Sequence, residues 1–287
     1  DWVRLSPERA TSSQYFSGAE QLALDRQLSP QTKAHRQKYV VMARNGITRL
    51  DRFLAGKLDA NQRISAQTMR WSLANTVANE PFEDHAFTFS QFSGAHISLV
   101  TFMTETHPIR NAADVDSYLA RLAQVGTRLD EATARARSAA QRKLIPPRFI
   151  LERAQGQVDA FLKPAPEQNV LVTSLAERSA KLADLSPQAR AAALASATAI
   201  VGATIRPAYE RTRAYLAELH PKTTDAAGID RLPNGAAAYS QALANFTGTK
   251  LQAAEIHQIG LRAVARLEAE MDKHLRSLGF TEGGIEE

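Results

Sequence analysis

The sequence predicts an all-α fold built from several mostly antiparallel helices, and three observations support this. Apolar residues recur at spacings of three and four along long segments, which is typical of helices that bury one face. Residues that start helices stand at the beginning of those segments. The one strand-like alternation, Phe87-Thr88-Phe89, is too short to form a sheet by itself.

The composition sets limits on the class of protein. A chain of 287 residues with 44% hydrophobic residues can bury a sizeable core. Its 35 Lys and Arg against 30 Asp and Glu read as a mixed solvated surface, so we expect no nucleic-acid partner. No run approaches the roughly 18 uninterrupted apolar residues that a membrane span needs, so none is expected. Cysteine is absent, which excludes disulfides, thiolate catalysis and cysteine-bound zinc.

Helix boundaries are predicted from capping residues and breakers. The predicted starts are Ser6-Pro7, Ser29-Pro30, Asp59 or Asn61, Asn111, Thr127, Pro146-Pro147 and Ser186-Pro187. Gly56 and Pro81 are predicted stops. Pro207 lies inside the long alanine-rich helix that follows Ser186, and its missing N–H predicts a kink there.

The prolines at residues 164 and 166 predict that the chain is divided into two regions. Lys163-Pro-Ala-Pro166 favours an extended backbone and is the expected stiff connector. It separates an N-terminal helical region, residues 1–163, from a C-terminal helical region, residues 164–287. The first contains an aromatic-rich segment, residues 81–108, that holds five of the chain's 11 phenylalanines.

The last predicted element is a long amphipathic helix over residues 252–279. Its apolar stripe is Ile256, Ile259, Ala263, Val264, Leu267, Met271, Leu275 and Leu278. Thr249 and Gln252 fit a capping box at its start. Gly279 is expected to end it, because glycine adopts the left-handed conformation without a Cβ clash.

A family resemblance rests mainly on the segment that leads into this helix. The matching residues are Leu232-Pro-x-Gly235, Tyr239, Leu243, Thr247, the run Glu255–Leu261, Glu270-Met271 and Gly279-Phe280, with weaker matches at Ala112–Leu122 and Pro146–Ile150. This pattern resembles the bacterial family known as domain of unknown function 885. The resemblance implies a helical, often exported protein that looks like a zinc metallopeptidase. The family's His-Glu-x-x-His metal motif lies further downstream, and this sequence ends at Glu287 before reaching it.

The residues themselves show no catalytic motif. None of the seven histidines is followed by Glu, and no two are four residues apart, so a helical zinc site is not expected. Glu83-Asp84-His85 could grip a hard cation, although a solvated polar loop is the favoured interpretation. No Gly-x-Ser-x-Gly elbow and no phosphate-binding glycine loop occur.

Four side chains are candidates for a substrate cleft. Tyr239 follows a turn near a helix start, where it could bond a bound anion or a tetrahedral intermediate. His257 lies at the edge of the apolar stripe and could hold a peptide end, with helix-surface packing as the alternative. Gln91 and His107 lie among the aromatics of residues 81–108, which could line a peptide groove or simply form core.

The expected function therefore comes from the resemblance. It implies the N-terminal, non-catalytic half of a zinc-dependent peptidase, one wall of a peptide-binding cleft, with zinc held by a C-terminal half that is its partner. This chain alone is expected to be inactive. The alternatives are a helical binding or scaffold protein and an exported module that captures peptides. The chain begins with Asp1, so a signal was removed or the chain was trimmed; a periplasmic or secreted location is expected, with the cytoplasm as the alternative.

Overall fold

The computed structural model describes residues 1–280 and 282–284, and it confirms the all-α prediction. Among these residues there is no strand, and the β-type pairing is one isolated antiparallel bridge between Phe89 and Gly94. The helices are α1 Pro7–Ser13, α2 Gly18–Asp25, α3 Lys33–Leu54, α4 Ala60–Asn79, α5 Ala95–Thr101, α6 Ala112–Gln141, α7 Arg148–Leu162, α8 Val170–Ser179, α9 Pro187–Ile200, α10 Arg206–Leu219, α11 Gly235–Thr247 and α12 Ala253–Ser277.

The predicted caps with a local hydrogen bond are confirmed. The side chains of Asp59, Asn111 and Ser186 each accept a bond from the backbone N–H three residues on. Two predicted starts are wrong. The helix expected at Ser29-Pro30 begins at Lys33, because Thr32 supplies the capping oxygen. No helix begins at Thr127, which lies inside the uninterrupted α6.

The start of α12 also differs from the prediction. Gln252, and not Thr249, is the N-cap, and its backbone N–H donates to the Glu255 carboxylate at 2.7 Å. A carboxylate in the first turn satisfies a backbone donor that the helix leaves free. At the other end the prediction is confirmed, because α12 ends at Ser277 and Gly279 has φ +94°.

Helix α6 is the centre of the core. It packs against α10 and α9, and its Leu122, Leu129 and Ala132 are fully buried. A Cβ at Gly126 would lie 2.8 Å from the Thr204 carbonyl oxygen, so only glycine permits this approach of the two backbones.

Helices α9 and α10 are joined by a π-helical turn, Val201–Ile205, just before Pro207. The irregularity predicted at this proline therefore takes the form of a wider turn, which accommodates a residue that cannot donate a backbone bond. The continuous helix Pro187–Lys222 is long and apolar enough to cross a membrane by length and composition. Its Ala197, Val201 and Ile205 are nevertheless completely buried in the core.

The chain forms two compact units, Asp1–Pro233 and Asn234–Glu287. The connector predicted at residues 163–166 does not divide the core, since Leu162 and Leu171 on either side of it belong to one cluster. Within the first unit, α3 and α4 form an antiparallel hairpin. The second unit contains α11 and α12.

Helix α12 leaves its apolar stripe exposed. Ile259, Val264, Leu267 and Met271 are each about half accessible to solvent. The predicted helix is confirmed, but the other described residues of its own unit do not cover the face that its periodicity marks as buried.

Candidate functional site

Two adjoining cavities in the first unit form the candidate site. Their volumes are about 570 Å³ and 660 Å³, and both are lined by Gln31, Glu83 and Arg135. The first is walled by the aromatic-rich segment, including Phe87 and Phe102. The second is walled by the ends of α3 and α4 and by one face of α6. We call this pair of cavities the polar groove.

The wall of the groove contains a strained backbone. Phe87 has φ +51° and ψ 137°, a conformation that bulky residues rarely adopt and that costs on the order of 1–3 kcal/mol. Gly94, seven residues on, has φ +134°, and a Cβ there would lie 2.7 Å from the Thr88 carbonyl oxygen. Strain of this kind is often retained where it positions a functional loop.

The charges of the groove converge on Asp84. Its carboxylate accepts bonds from Arg135, at 2.6 Å, and from Arg142, and Arg36 lies 3.8 Å away. Burial by itself raises the pKa of Asp84, but the bonds from Arg142 and Arg135 and the charge of Arg36 outweigh it, so the pKa is lowered. Asp84 is therefore ionised at neutral pH and holds three arginines in the groove wall.

Replacing Asp84 by Asn is expected to lower the free energy of unfolding by about 2 kcal/mol at pH 7, because three arginines lose their shared anion. A carboxyl with a lowered pKa stabilises the fold above its ordinary pKa of about 3.9 and loses that stabilisation as pH falls. The difference in the free energy of unfolding between wild type and variant should therefore disappear below about pH 4. Urea denaturation at several pH values measures this.

Asp130→Asn, which removes an exposed pair with Arg211, is the matched control and should cost less than about 1 kcal/mol. A gap for Asp84→Asn that stays constant down to pH 3 would contradict the prediction.

Several polar atoms beside the groove lack a partner. Thr88 Oγ1, Gln91 Oε1 and His96 Nδ1 are buried and bond no other group in the described part of the chain. The Gln157 side-chain amide donates to the backbone carbonyl of Gln91 at 3.0 Å. The side-chain oxygen of Gln157 therefore faces His96 Nε2, so the His96 ring carries its proton on Nε2. Thr88 lines the groove, and its hydroxyl oxygen is buried behind the groove surface without a hydrogen-bond partner in the described part of the chain.

The four predicted cleft residues are divided between the two units, Gln91 and His107 in the first and Tyr239 and His257 in the second. Tyr239 on α11 and His257 on α12 are exposed in the second unit. Gln91 is half-buried beside the groove. His107 is only 1% exposed; it accepts a bond from Arg121 at 2.7 Å and bonds the Asp114 carbonyl at 3.2 Å. Its cleft role has no support in this geometry.

The aromatic-rich segment is divided between groove and core. Phe87 and Phe102 line the groove, Phe89 is buried, and Phe92 is almost fully exposed. The core interpretation thus holds for Phe89 and Phe102, which belong to the main buried cluster, and the peptide groove stays a prediction.

The side chains of Glu83, Asp84 and His85, which were suggested as cation ligands, instead bond other groups of the protein. Glu83 accepts from Arg36 at 2.5 Å, and His85 Nε2 bonds the Pro233 carbonyl at 2.8 Å. Across residues 1–280 and 282–284, no three His, Cys, Asp or Glu side chains lie close enough to hold a metal ion.

Sequence reasoning missed the α6 contribution to the groove. Arg128, Arg135 and Arg142 recur every seven residues and therefore share one face of the helix. Arg128 bonds Glu131, and the other two bond Asp84. The spacing was visible in the sequence, but the anions that these arginines meet lie far away along the chain.

Comparison with known proteins gives the fold and the family. A solved structure described as "The crystal structure of the putative lipoprotein from Colwellia psychrerythraea" is similar, with a TM-score of 0.75 and 20% identity over 99% of this chain. The chain spans 51% of that protein's length. No curated protein matches. The model of the family described as "Bacterial protein of unknown function (DUF885)" matches residues 7–287, and the chain belongs to this family.

Proposed function

We propose that this chain is the N-terminal, non-catalytic helical half of a zinc-dependent peptidase-like protein, that it forms one wall of a peptide-binding cleft, and that the whole protein hydrolyses peptide bonds. The observation that carries the proposal is the exposed stripe of α12. Contiguous exposed apolar surface of this kind marks an interaction site. Four large side chains left half-exposed on one face require a partner, and the C-terminal half of the same protein is the partner proposed.

The polar groove supports the peptide part of the proposal. It combines an aromatic wall with unpaired polar atoms and fixed charges, the mixture found in sites that bind small molecules and peptides. Phe102 and Phe87 offer apolar contact, and Glu83 and Arg135 supply the charges.

Zinc chemistry does not fit the residues described here, because they contain no cluster of metal ligands. No reaction step through a metal is therefore assigned to this chain, and zinc is proposed to belong to the C-terminal half. An exported location, periplasmic or secreted, is also proposed. The lipoprotein description of the structural neighbour is compatible with an exported location. That protein is roughly twice as long as this chain, which is compatible with a further C-terminal half.

The test expresses residues 1–287 alone and together with the segment that its gene encodes downstream. We expect the chain alone to hydrolyse no peptide and to give no one-to-one zinc site in isothermal titration. We expect the two halves to co-purify and to hydrolyse peptides when zinc is supplied. Peptide hydrolysis by the chain alone, or a gene that ends at Glu287, would overturn the proposal.

The α12 stripe is tested by Leu267→Asp with Met271→Asp. This double variant should weaken association of the halves by about 100-fold or more, because two charges would enter an apolar interface. Arg262→Asp, on the opposite face of α12, is the control and should leave association nearly unchanged. Equal effects of the two variants would show that the stripe is not the contact.

The alternative is a helical binding or scaffold protein without enzymatic activity, because an exposed apolar stripe serves an unrelated partner equally well. Co-purification of the halves without peptide hydrolysis, with peptides bound intact, would favour it.

A further inference from the structure

The positive charge of the chain is concentrated in the α3–α4 hairpin. Residues 33–79 contain nine Lys and Arg and only two Asp, a net charge of +7. The remaining 26 basic and 28 acidic residues sum to −2. The net charge of +5 is therefore a property of this hairpin alone, and the uniform mixed surface expected from the sequence holds only for the rest of the chain.

Few side chains of the hairpin are buried. Its buried side chains are Val40 and Ala43 on α3 and Ala66 on α4, and each helix has the other as its main neighbour. The 22 residues of α3 give it a length of about 33 Å. Its free end is the turn between Leu54 and Ala60.

Basic residues near that free end are unpaired. Arg44 and Arg70 bond Glu80 and Asp51, but four basic residues around the turn form no ion pair with any residue that the structure describes. These four are Arg49, Arg52, Lys57 and Arg63, and all are exposed. We call them the tip cations.

Apolar side chains are exposed among the tip cations. Phe53, at the end of α3, is 48% exposed, and Ile64, in the first turns of α4, is 61% exposed. Trp71 and Met69 lie further along α4 and are also exposed. Cations beside exposed aromatic and aliphatic groups are typical of segments that lie in a membrane interface, where the cations meet anionic headgroups and the apolar groups enter the acyl boundary.

We infer that the tip of the α3–α4 hairpin, where exposed Phe53 and Ile64 directly follow Arg52 and Arg63 in the chain, is a docking surface for an anionic phospholipid membrane. The charge is complementary to such a surface. The exposed aliphatic groups favour lipid over nucleic acid, which is bound through phosphate contacts and aromatic stacking and gains little from an isoleucine. The inference concerns a face other than the polar groove and α12, and it does not depend on the proposed function.

Vesicle flotation tests the inference. The chain is mixed with vesicles of phosphatidylglycerol and phosphatidylcholine in equal parts, or of phosphatidylcholine alone. Binding to the anionic vesicles should be at least about 10-fold stronger, because each headgroup-facing cation adds to the attraction. Raising the salt from 0.1 M to 1 M should abolish most of it, since the screening length falls from about 10 Å to about 3 Å.

Matched variants separate the tip from overall charge. Replacing the four tip cations by Gln (R49Q, R52Q, K57Q and R63Q) should reduce binding to the level of neutral vesicles. The control R9Q, R26Q, R153Q and K181Q removes the same charge from exposed positions outside the hairpin and should keep most of the binding. Phe53→Ser with Ile64→Ser should weaken binding by about 10-fold through lost apolar burial. Thermal melting checks that each variant is folded.

Equal loss in the tip and control variants would overturn the inference, because binding would then follow net charge alone. So would tight binding of a 20-base-pair DNA duplex combined with unchanged vesicle binding by the Phe53 and Ile64 variant. That result would identify the tip as a general polyanion surface.

Discussion

Replacing Arg121 by alanine is expected to lower the free energy of unfolding by about 3–5 kcal/mol, the largest effect predicted for this chain. Arg121 on α6 is fully buried. Its guanidinium donates to the carbonyls of Gln27 and Leu24, at 2.8 Å and 2.9 Å, and to Thr11 Oγ1 at 2.6 Å. Its loss would leave these acceptors unsatisfied and a cavity between the N-terminal segment and α6.

The contacts of Arg121 explain why alanine should be so costly. The Phe102 ring covers the guanidinium at 4.9 Å, so the charge is shielded from water on that side. Thr11, which accepts from Arg121, donates to Asp25, so the carboxylate lies one hydroxyl away from the charge. One arginine thus fixes α1, α2 and the π-helical turn Phe102–Thr106 onto α6.

Urea denaturation of Arg121→Ala measures the effect. Arg137→Ala is the matched control on the same helix, because Arg137 is exposed and pairs with Glu218 at the surface. The control should cost about 1 kcal/mol or less. A similar small cost for Arg121→Ala would show that the buried cluster relaxes without it.

The second large effect is a loss of stability on acidification that comes from His107. Arg121 can only donate, so His107 Nδ1 accepts and Nε2–H donates to the Asp114 carbonyl, which fixes the neutral tautomer. Burial, together with the charge of Arg121, lowers the pKa of His107 to about 4. In the unfolded chain His107 takes up a proton near pH 6.5, and in the folded chain it does so only near pH 4. The contribution of His107 to the free energy of unfolding is therefore complete above pH 6.5 and is lost as the pH falls from 6.5 to 4.

Between pH 7 and pH 4 the free energy of unfolding of the wild type should therefore fall by about 3 kcal/mol more than that of His107→Gln, because the variant cannot titrate at this position. Denaturation curves at intervals of half a pH unit give the comparison. His220→Gln, at an exposed histidine, is the control and should follow the wild-type profile. Parallel profiles for wild type and His107→Gln would refute the buried neutral histidine.

Local chemistry made the helix ends predictable. Asp59, Asn111 and Ser186 cap their helices through a bond to the backbone three residues away, and such a bond depends on nearby residues only. Ser29-Pro30 had the same signature, but the chain begins its helix at Thr32. The side chain and the backbone N–H of Ser29 bond the Glu8 carboxylate and do not cap a helix. Glu8 lies 21 residues away, so no local pattern reveals it.

The candidate site was less predictable for the same reason. Phe87 and Phe102 stood out as part of an aromatic-rich segment, but the sequence could not separate groove residues from core residues. Arg135 and Arg142 had a visible spacing, yet their function as partners of Asp84 depends on contacts across more than 50 residues.

The sequence by itself determined the all-α class, the family resemblance now confirmed and several helix ends, because each depends on periodicity or on residues near in the chain. Tertiary structure alone decided which apolar faces are covered. The stripe of α12 and the buried face of α10 have the same helical period, but the first is left uncovered within its own unit and the second is packed in the core of its unit. It also gathered the tip cations at one end of a hairpin, since burial and charge density depend on which distant segments meet in space.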